Sequence, residues 1–366
     1  MQRYGNSRAA IQWLSVGKPQ SRHHDNYGGK LQQHAPAHQV LRAVGRAAAH
    51  HVPQAQKQDY GDCSYCQRYE IVKNIHGTET LLPFVISCGD NALLERSVLM
   101  KSMKLYTNVH RIHNELAALG IGPDAALRVD QLTPFDQYHY FGTDAVDEAL
   151  EVLQLQPGAR VLDVGSGIGG PARYIAAKTG ASVTALELQS DLHEVARDLT
   201  ARCGLSSRVE HVCGNILDGA VAENYDAIIS FLCFLHIPDR TRLFSACRAA
   251  LKPGGVMYIE DFATLRAHST DEAEALKVKV QCPAIPFPHD YELQLGEANF
   301  SDVTMDDVTE SWKDFTASRL AMFRVQRARN IEVHGEAIVD GLDDFYGAVA
   351  HLFQAGAIAG LKIIAR

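Results

Sequence analysis

The sequence predicts an α/β fold, a largely parallel sheet covered by helices on both faces. Three observations point to it. From about residue 160, apolar runs alternate with segments whose apolar residues recur at helical spacing. The first run, "RVLDV", reads as a buried strand and breaks at once into the glycines of "GSGIGG". Gly and Pro then punctuate the helical segments where stops and starts belong.

The elements follow in order. A broken apolar stripe, Leu94, Val98, Met103, Val109, Ile112, Leu116 and Leu119, predicts a helix over about 91–119, stopped by Gly120. A second helix is expected from Thr143, as N-cap, to about Leu155. "RVLDV" is the first strand of the sheet, and "PARYIAAKTG" a helix with Pro171 first and Gly180 as its stop. "ASVTALEL" is the second strand. "DLHEVARDLTARCG" is a helix with capping-box spacing from Asp191 to Glu194 and a stop at Gly204. "RVEHVCGN" and "YDAIISFL" are the third and fourth strands. "DRTRLFSACRAALKPGG" is a helix and turn that leads to the fifth, "VMYIEDF". "FSDVTMDDVT" and "AGLKIIAR" read as two more strands that close the sheet. No internal repeat is visible.

Composition narrows the partners. Residues 1–60 carry eight Lys/Arg against two acids, Asp25 and Asp59, so the net charge of −8 hides a body at −14. Such a body repels polyphosphate backbones, and no nucleic-acid partner is expected. No stretch approaches the ~20 apolar residues of a membrane helix, so no membrane partner is expected. The acid-poor opening looks like an organelle transit peptide, for a mitochondrion or chloroplast; a disordered extension of a cytoplasmic protein is the alternative. Of eight cysteines only Cys63 and Cys66 are closely spaced. One C-x-x-C without a second pair does not define a metal site, and free thiols with no metal are expected. The division is then 1–60 extension, 61–149 N-terminal helical cap and aromatic lid, and 150–366 main domain.

Gly165, Gly167 and Gly170 spell G-x-G-x-x-G, a pattern shared by sites for NAD, FAD and S-adenosylmethionine. Glycines after the first strand let the backbone approach a ligand that a Cβ would strike. Asp163, two residues before the first glycine, discriminates. A carboxylate there repels a pyrophosphate placed on this loop and helix end, but suits S-adenosylmethionine, whose ammonium and sulfonium are cations. A nicotinamide oxidoreductase is disfavoured on the same ground. Glu187 ends the second strand, 22 residues after Gly165, where a carboxylate can take both ribose hydroxyls. Asn215, after the third strand, is placed for an adenine edge. The candidate cofactor set is Asp163, Gly165, Gly167, Gly169, Glu187, Leu188, Asn215, Ile216 and Phe231, with Gln137 from the segment before the core.

"VLDVGSGIGG", "VTALEL", "CGNIL", "YDAIISFLCFLHIPD" and "LKPGGVMYIEDF" occur in order over about 160–262. In this the region resembles the class I methyltransferases, departing from many members by having Asn215 in place of Asp. The resemblance implies a Rossmann-like sheet of seven strands, the last antiparallel, with S-adenosylmethionine as cofactor.

The flanks bear on the methyl acceptor. "PFDQYHYFGTDAVDEAL" packs Phe135, Tyr138, His139, Tyr140 and Phe141 together, as a lid over the reacting methyl or as a packing loop. With "VTESWKDFTASRLAMF" and "FYGAVAHLFQAGAIAGLKI" it is similar to the eukaryotic methylthiohydroxybutyrate S-methyltransferases of dimethylsulfoniopropionate synthesis. That resemblance covers about 90–366 and implies S-methylation of 4-methylthio-2-hydroxybutyrate to its dimethylsulfonio product. A thioether has no proton to lose, so no general base is required. The candidate catalytic residues are His236 and Tyr138. Candidate substrate contacts are Tyr138, His139, Tyr140, His236, Trp312 and Arg319: rings for a sulfonium by cation–π contact, cations or donors, Arg173 among them, for the acid. Two alternatives stay open: a small-amine N-methyltransferase of phosphoethanolamine or glycine/sarcosine type, and a non-catalytic S-adenosylmethionine-binding protein. A small-molecule substrate and a homodimer are the expected partners.

Overall fold

The computed structural model describes residues 65–73 and 79–87 as backbone, and residues 108–282 and 284–366 with their side chains. The 1–60 extension, Cys63, the side chain of Cys66 and the 91–107 part of the first predicted helix lie outside the described residues. The chain divides into two units, Met1–Val98 and Leu99–Arg366.

In the first unit, β1 (Tyr65–Lys73) and β2 (Glu79–Ser87) pair antiparallel, from Tyr65 opposite Ser87 to Lys73 opposite Glu79. A strand pair thus stands at the start of 61–149, the stretch expected as a helical cap and aromatic lid. "YCQRYEIVK" and "ETLLPFVIS" are rich in aromatic and β-branched residues, which fit a pleated surface better than a helix.

The described part of the second unit begins with α1 (Arg111–Ala118), α2 (Val129–Asp136) and α3 (Thr143–Leu153), then enters the sheet. Its strands are β3 (Arg160–Val164), β4 (Ser182–Glu187), β5 (Val209–Cys213), β6 (Tyr225–Phe231), β7 (Leu251–Thr264), β8 (Val303–Asp307) and β9 (Ile358–Ala365). They lie in the order β5-β4-β3-β6-β7-β9-β8. The pairs from β5 through β7 are parallel, and β9 runs antiparallel between β7 and β8. The expected seven strands with the last antiparallel are therefore present. The order reverses between β3 and β6, the switch point where α/β sheets open a crevice.

The helices between strands are α4 (Gly170–Thr179), α5 (Ser190–Arg202) and α6 (Arg240–Ala250), and a short α7 (Thr270–Glu274) follows β7. α4 begins with Pro171 at its N-terminus and ends at Gly180, as predicted. α5 starts one residue before the expected box, and Asp191 makes no such cap. Its carboxylate accepts from Leu192 N–H at 3.0 Å instead.

Both faces of the sheet are buried, with side chains alternating between them. Leu162 and Ile228 face Leu243 and Phe244 of α6 and Tyr291 of α8 (Pro288–Glu297). Val161, Val183 and Ile229 face Val146 and Ala149 of α3 and Ile175 of α4. Three helices not assigned from sequence, α9 (Thr309–Val325), α10 (Arg327–His334) and α11 (Glu336–Gln354), fill the connection between β8 and β9. They carry a third cluster, in which Trp312, Leu352 and Phe353 meet Tyr140. Glu115 of α1 is clamped by Arg329 and by His334, the latter at 2.8 Å. Burial raises the Glu115 carboxyl, but these two partners outweigh it and hold the group at about 2.

Candidate functional site

The carboxyl ends of β3, β4 and β6 surround a cleft of about 1050 Å³, its open mouth included. Gly165 turns the chain at the end of β3 with φ +79°, and its N–H and that of Ser166 both donate to Leu186 O, at 2.9 and 3.0 Å. A Cβ on Gly165 would lie 2.2 Å from Cys233 Sγ, so only glycine fits. Gly167, with φ +54°, faces open space where a Cβ would meet nothing within 4 Å. Its N–H donates to Glu187 Oε2 at 2.9 Å, tying the glycine loop to the end of β4.

Two acids share this floor. Asp163 is 1 % exposed and Glu187 7 %. Burial, and then the Glu187 charge, push the Asp163 carboxyl up to about 7. Burial also lifts Glu187 to about 7, against the N–H donors of Gln189 and Gly167. Asp163 Oδ2 and Ser166 Oγ are buried without a hydrogen-bond partner. Paired buried carboxylates of this kind are matched by a cationic ligand with polar hydroxyls and without phosphate, and S-adenosylmethionine fits that description. Leu188, Asn215, Ile216 and Phe231 also line the cleft. Asn215 has a further duty, since its Oδ1 accepts from Leu217 N–H at 3.0 Å and caps the turn Ile216–Asp218.

Gly169 does not line the cleft. A Cβ there would strike Arg173 Nη1 and His211 Cε1, each at 2.8 Å, so its small size serves helix–sheet packing. Gly170 is the glycine pressed by the lid, with Asp136 O 2.2 Å from a notional Cβ. Gln137 turns aside, its Nε2 donating to Asp136 Oδ1 at 2.8 Å. Arg173 is fully buried and donates to Asp136 Oδ2 at 2.8 Å and Ile168 O at 2.7 Å. It is a strut that fixes the lid to α4, which corrects its place among the acid-binding candidates.

The aromatic segment splits in two. Tyr138 and His139 face the cleft. His139 stacks on Phe231 with ring centroids 4.4 Å apart, and its Nε2–H donates to Gly142 O at 2.9 Å. Tyr140 points away, edge-on to Trp312 at 4.8 Å. Trp312 is 0 % exposed and covers Gly360, where a Cβ would fall 2.4 Å from its ring. Trp312 and Tyr140 are thus core residues rather than cleft walls, and Arg319 stands behind Tyr140 with its guanidinium 4.9 Å from that ring.

His236 lines the cleft, and its Nδ1 lies 3.0 Å from Gln281 O. A carbonyl can only accept, so Nδ1 carries the proton and Nε2 is left as an acceptor. Burial lowers both His139 and His236 to about 4, so both rings are neutral at physiological pH. The turn Phe234–His236 is positioned by a residue the sequence did not single out. Buried Asp261 accepts from Leu235 N–H and Tyr291 Oη–H, each at 3.0 Å, and pairs with Arg240 at 3.4 Å. Its one signal was an acid at the end of an apolar strand. Cys233 and Leu232, with φ +51°, were also missed. No group of three His, Cys, Asp or Glu among the described residues is arranged to hold a metal, and no helix among them is long and apolar enough to cross a membrane.

Residues 161–255 match a sequence family described as a methyltransferase domain. A 24-methylenesterol C-methyltransferase 2 of Oryza sativa subsp. japonica is 33% identical over 129 residues, 35% of this chain and 36% of that protein. Phosphoethanolamine N-methyltransferase 1 of Arabidopsis thaliana is 33% identical over 173 residues, 47% of this chain and 34% of that protein. The aligned stretch thus spans about a third of the length of these relatives. Among solved structures, Haemonchus contortus phosphoethanolamine N-methyltransferase 2, in complex with phosphomonomethylethanolamine and S-adenosylhomocysteine, aligns with TM-score 0.60. It is 19% identical, with 78% of this chain and 62% of that one covered, a likeness of fold. The strand order, the acid-floored glycine turn and the matched sequence lead to one conclusion: this chain carries a class I S-adenosylmethionine-dependent methyltransferase domain.

Proposed function

We propose that the chain methylates the thioether sulfur of a small methylthio acid, 4-methylthio-2-hydroxybutyrate, to give the dimethylsulfonio product. S-adenosylmethionine, when bound, supplies an electrophilic methyl group on a sulfonium. A carbon–sulfur bond forms at the acceptor as the methyl leaves the donor sulfur, positive charge passes to the acceptor, and no proton is released. One observation carries the reading: the two histidines on the cleft wall are neutral, lowered by burial to about 4, and each is tied to a carbonyl. Such rings are weak general bases, and a thioether asks for none. The wall of Tyr138 and Phe231 accepts an apolar sulfur and faces the cationic product with ring π-electrons. His236 Nε2 is left to accept a hydrogen bond from the 2-hydroxyl.

The second reading is N-methylation of a small amine, as the name of the Arabidopsis relative suggests. It requires His236 Nε2 to receive an ammonium proton. The test is methyl transfer at saturating acceptor, across pH, with methylthio acids beside phosphoethanolamine, glycine and sarcosine. A thioether acceptor gives no rate limb from acceptor deprotonation, whereas an amine gives a rise with pH. Faster turnover on an amine than on any methylthio acid refutes the thioether reading and leaves methyl transfer standing.

A further inference from the structure

Gln281 holds φ +54°, a left-handed conformation that residues with a side chain rarely adopt. It ends the π-turn Ala275–Lys279, which continues α7 and closes with Val280 N–H on Ala275 O at 3.1 Å and Cys282 N–H on Leu276 O at 2.8 Å. Helix ends of this shape fall most often to glycine or asparagine, so glutamine is held there against its own preference. The turn aims the Gln281 carbonyl at His236 Nδ1, 3.0 Å away and 45 residues back in the chain. Gln281 does not line the cleft, whereas His236 does.

The next residue secures the same target. Cys282 is buried, and its Sγ–H donates to Leu235 O at 3.1 Å. Asp261 holds the N–H of that same Leu235. Leu276, Val280 and Cys282 bury their side chains in one cluster with Leu235, so the segment is anchored apart from the cleft. The turn bearing His236 is thus gripped at the peptide before it and at the ring itself. A neutral imidazole carries one N–H, and a carbonyl on Nδ1 keeps it there. Nε2, which meets no protein group among the described residues, then accepts hydrogen bonds and cannot donate them.

We propose that Gln281 is a positioning residue of the acceptor site: its backbone carbonyl fixes His236 as the Nδ1–H tautomer, and the ring then selects methyl acceptors that carry a hydroxyl or N–H donor beside the reacting atom. The inference rests on methyl transfer in this cleft and narrows its acceptor class. An acceptor without such a donor leaves Nε2 unmet, and a site built for a hydrogen bond discriminates against the analogue that lacks it.

Two measurements on the full chain saturated with S-adenosylhomocysteine test it, in wild type and in Gln281→Asn, Gln281→Gly and Gln281→Val. Nitrogen NMR of labelled histidine near neutral pH reads the tautomer, with His236→Gln assigning the signals. Wild type, the Asn variant and the Gly variant should show a protonated Nδ1 and a bare Nε2. Val, whose branched Cβ resists positive φ, should let the proton exchange between the two nitrogens. Calorimetry then compares 4-methylthio-2-hydroxybutyrate with 4-methylthiobutyrate, which lacks the hydroxyl. The hydroxy acid should bind at least about fivefold more tightly, a ratio kept by Asn and Gly and lost in Val, with S-adenosylhomocysteine affinity within about twofold throughout. Should Gln281→Val fail to fold, Gln281→Ala, which disfavours the same φ more mildly, takes its place. A wild-type ring protonated at Nε2 overturns the proposal. So does a Val variant with wild-type tautomer and ratio, or an Asn and Gly pair that lose as much as Val, since the side chain would then be the active part. Equal binding of the two acids by wild type overturns the selection. Should neither acid bind while glycine or sarcosine does, the thioether reading fails, and the tautomer spectra, which need no acceptor, still decide on Gln281.

Discussion

Gly165→Ala is the sharpest perturbation of the cofactor turn, because two separate costs meet at one atom. The residue holds φ +79°, where a Cβ costs about 1–3 kcal/mol. The added methyl would also lie 2.2 Å from Cys233 Sγ and 2.5 Å from Cys233 Cβ, far inside contact distance. The backbone cannot retreat freely, because the N–H groups of Gly165 and Ser166 are both bonded to Leu186 O. Overpacking of a dense site adds roughly 1–3 kcal/mol, so the variant should lose roughly 2–6 kcal/mol. Cys233→Gly removes both close atoms and leaves only Cys233 Cα, at an ordinary 3.8 Å. In the double variant the steric cost should vanish and the backbone cost remain. Urea unfolding of wild type, both single variants and the double variant measures this directly, given a common m-value. The expected coupling is about 1–3 kcal/mol in favour of the double variant. Effects that add within ~0.5 kcal/mol would show that the turn relaxes away from Cys233 and that the contact does not dictate glycine.

Asp163 and Glu187 are each lifted to about 7 from ordinary values of 3.8 and 4.5. Between about pH 4 and 7 the folded protein therefore holds protons that the unfolded chain has released, and ligand-free stability should fall as pH rises. A cationic ligand favours the ionised pair, so S-adenosylmethionine affinity should rise over the same window with proton release. Calorimetry in two buffers of different ionisation enthalpy checks it, and pH-independent affinity refutes it. Asp163→Asn should weaken that affinity about tenfold or more, the loss of a charge-assisted contact of ~1.5–3 kcal/mol, while ligand-free Tm at pH 8 holds or rises. Arg173→Met strands Asp136 in the interior and should cost about 3–5 kcal/mol in urea unfolding, with partial recovery in Arg173→Met/Asp136→Leu. Trp312→Ala should cost about 3–5 kcal/mol of stability with S-adenosylmethionine affinity changed only a few-fold, because the ring packs on Gly360 and not in the cleft.

The sequence by itself determined the sheet and its floor. Strand period, helix stops and glycine turns are local signals, so β3 through β9 fall within a few residues of where "RVLDV" to "AGLKIIAR" placed them. Asp163, Glu187 and Asn215 reach one cleft because each stands at the end of a parallel strand, and parallel strands deliver their ends to one edge. Tertiary structure decided what surrounds that floor. Tyr138, His139 and Tyr140 are adjacent in sequence, yet the turn sends the first two into the cleft and the third into the core. No periodicity records that choice. Arg173 and Arg319 are both isolated arginines in the sequence. One meets Asp136, 37 residues away, and the other stands among the rings of Tyr140, Phe315 and Tyr346. Asp261 became visible only when Leu235, Arg240 and Tyr291 converged on it. A side chain's role depends on partners that the fold brings together from distant positions, and a linear pattern does not carry that information.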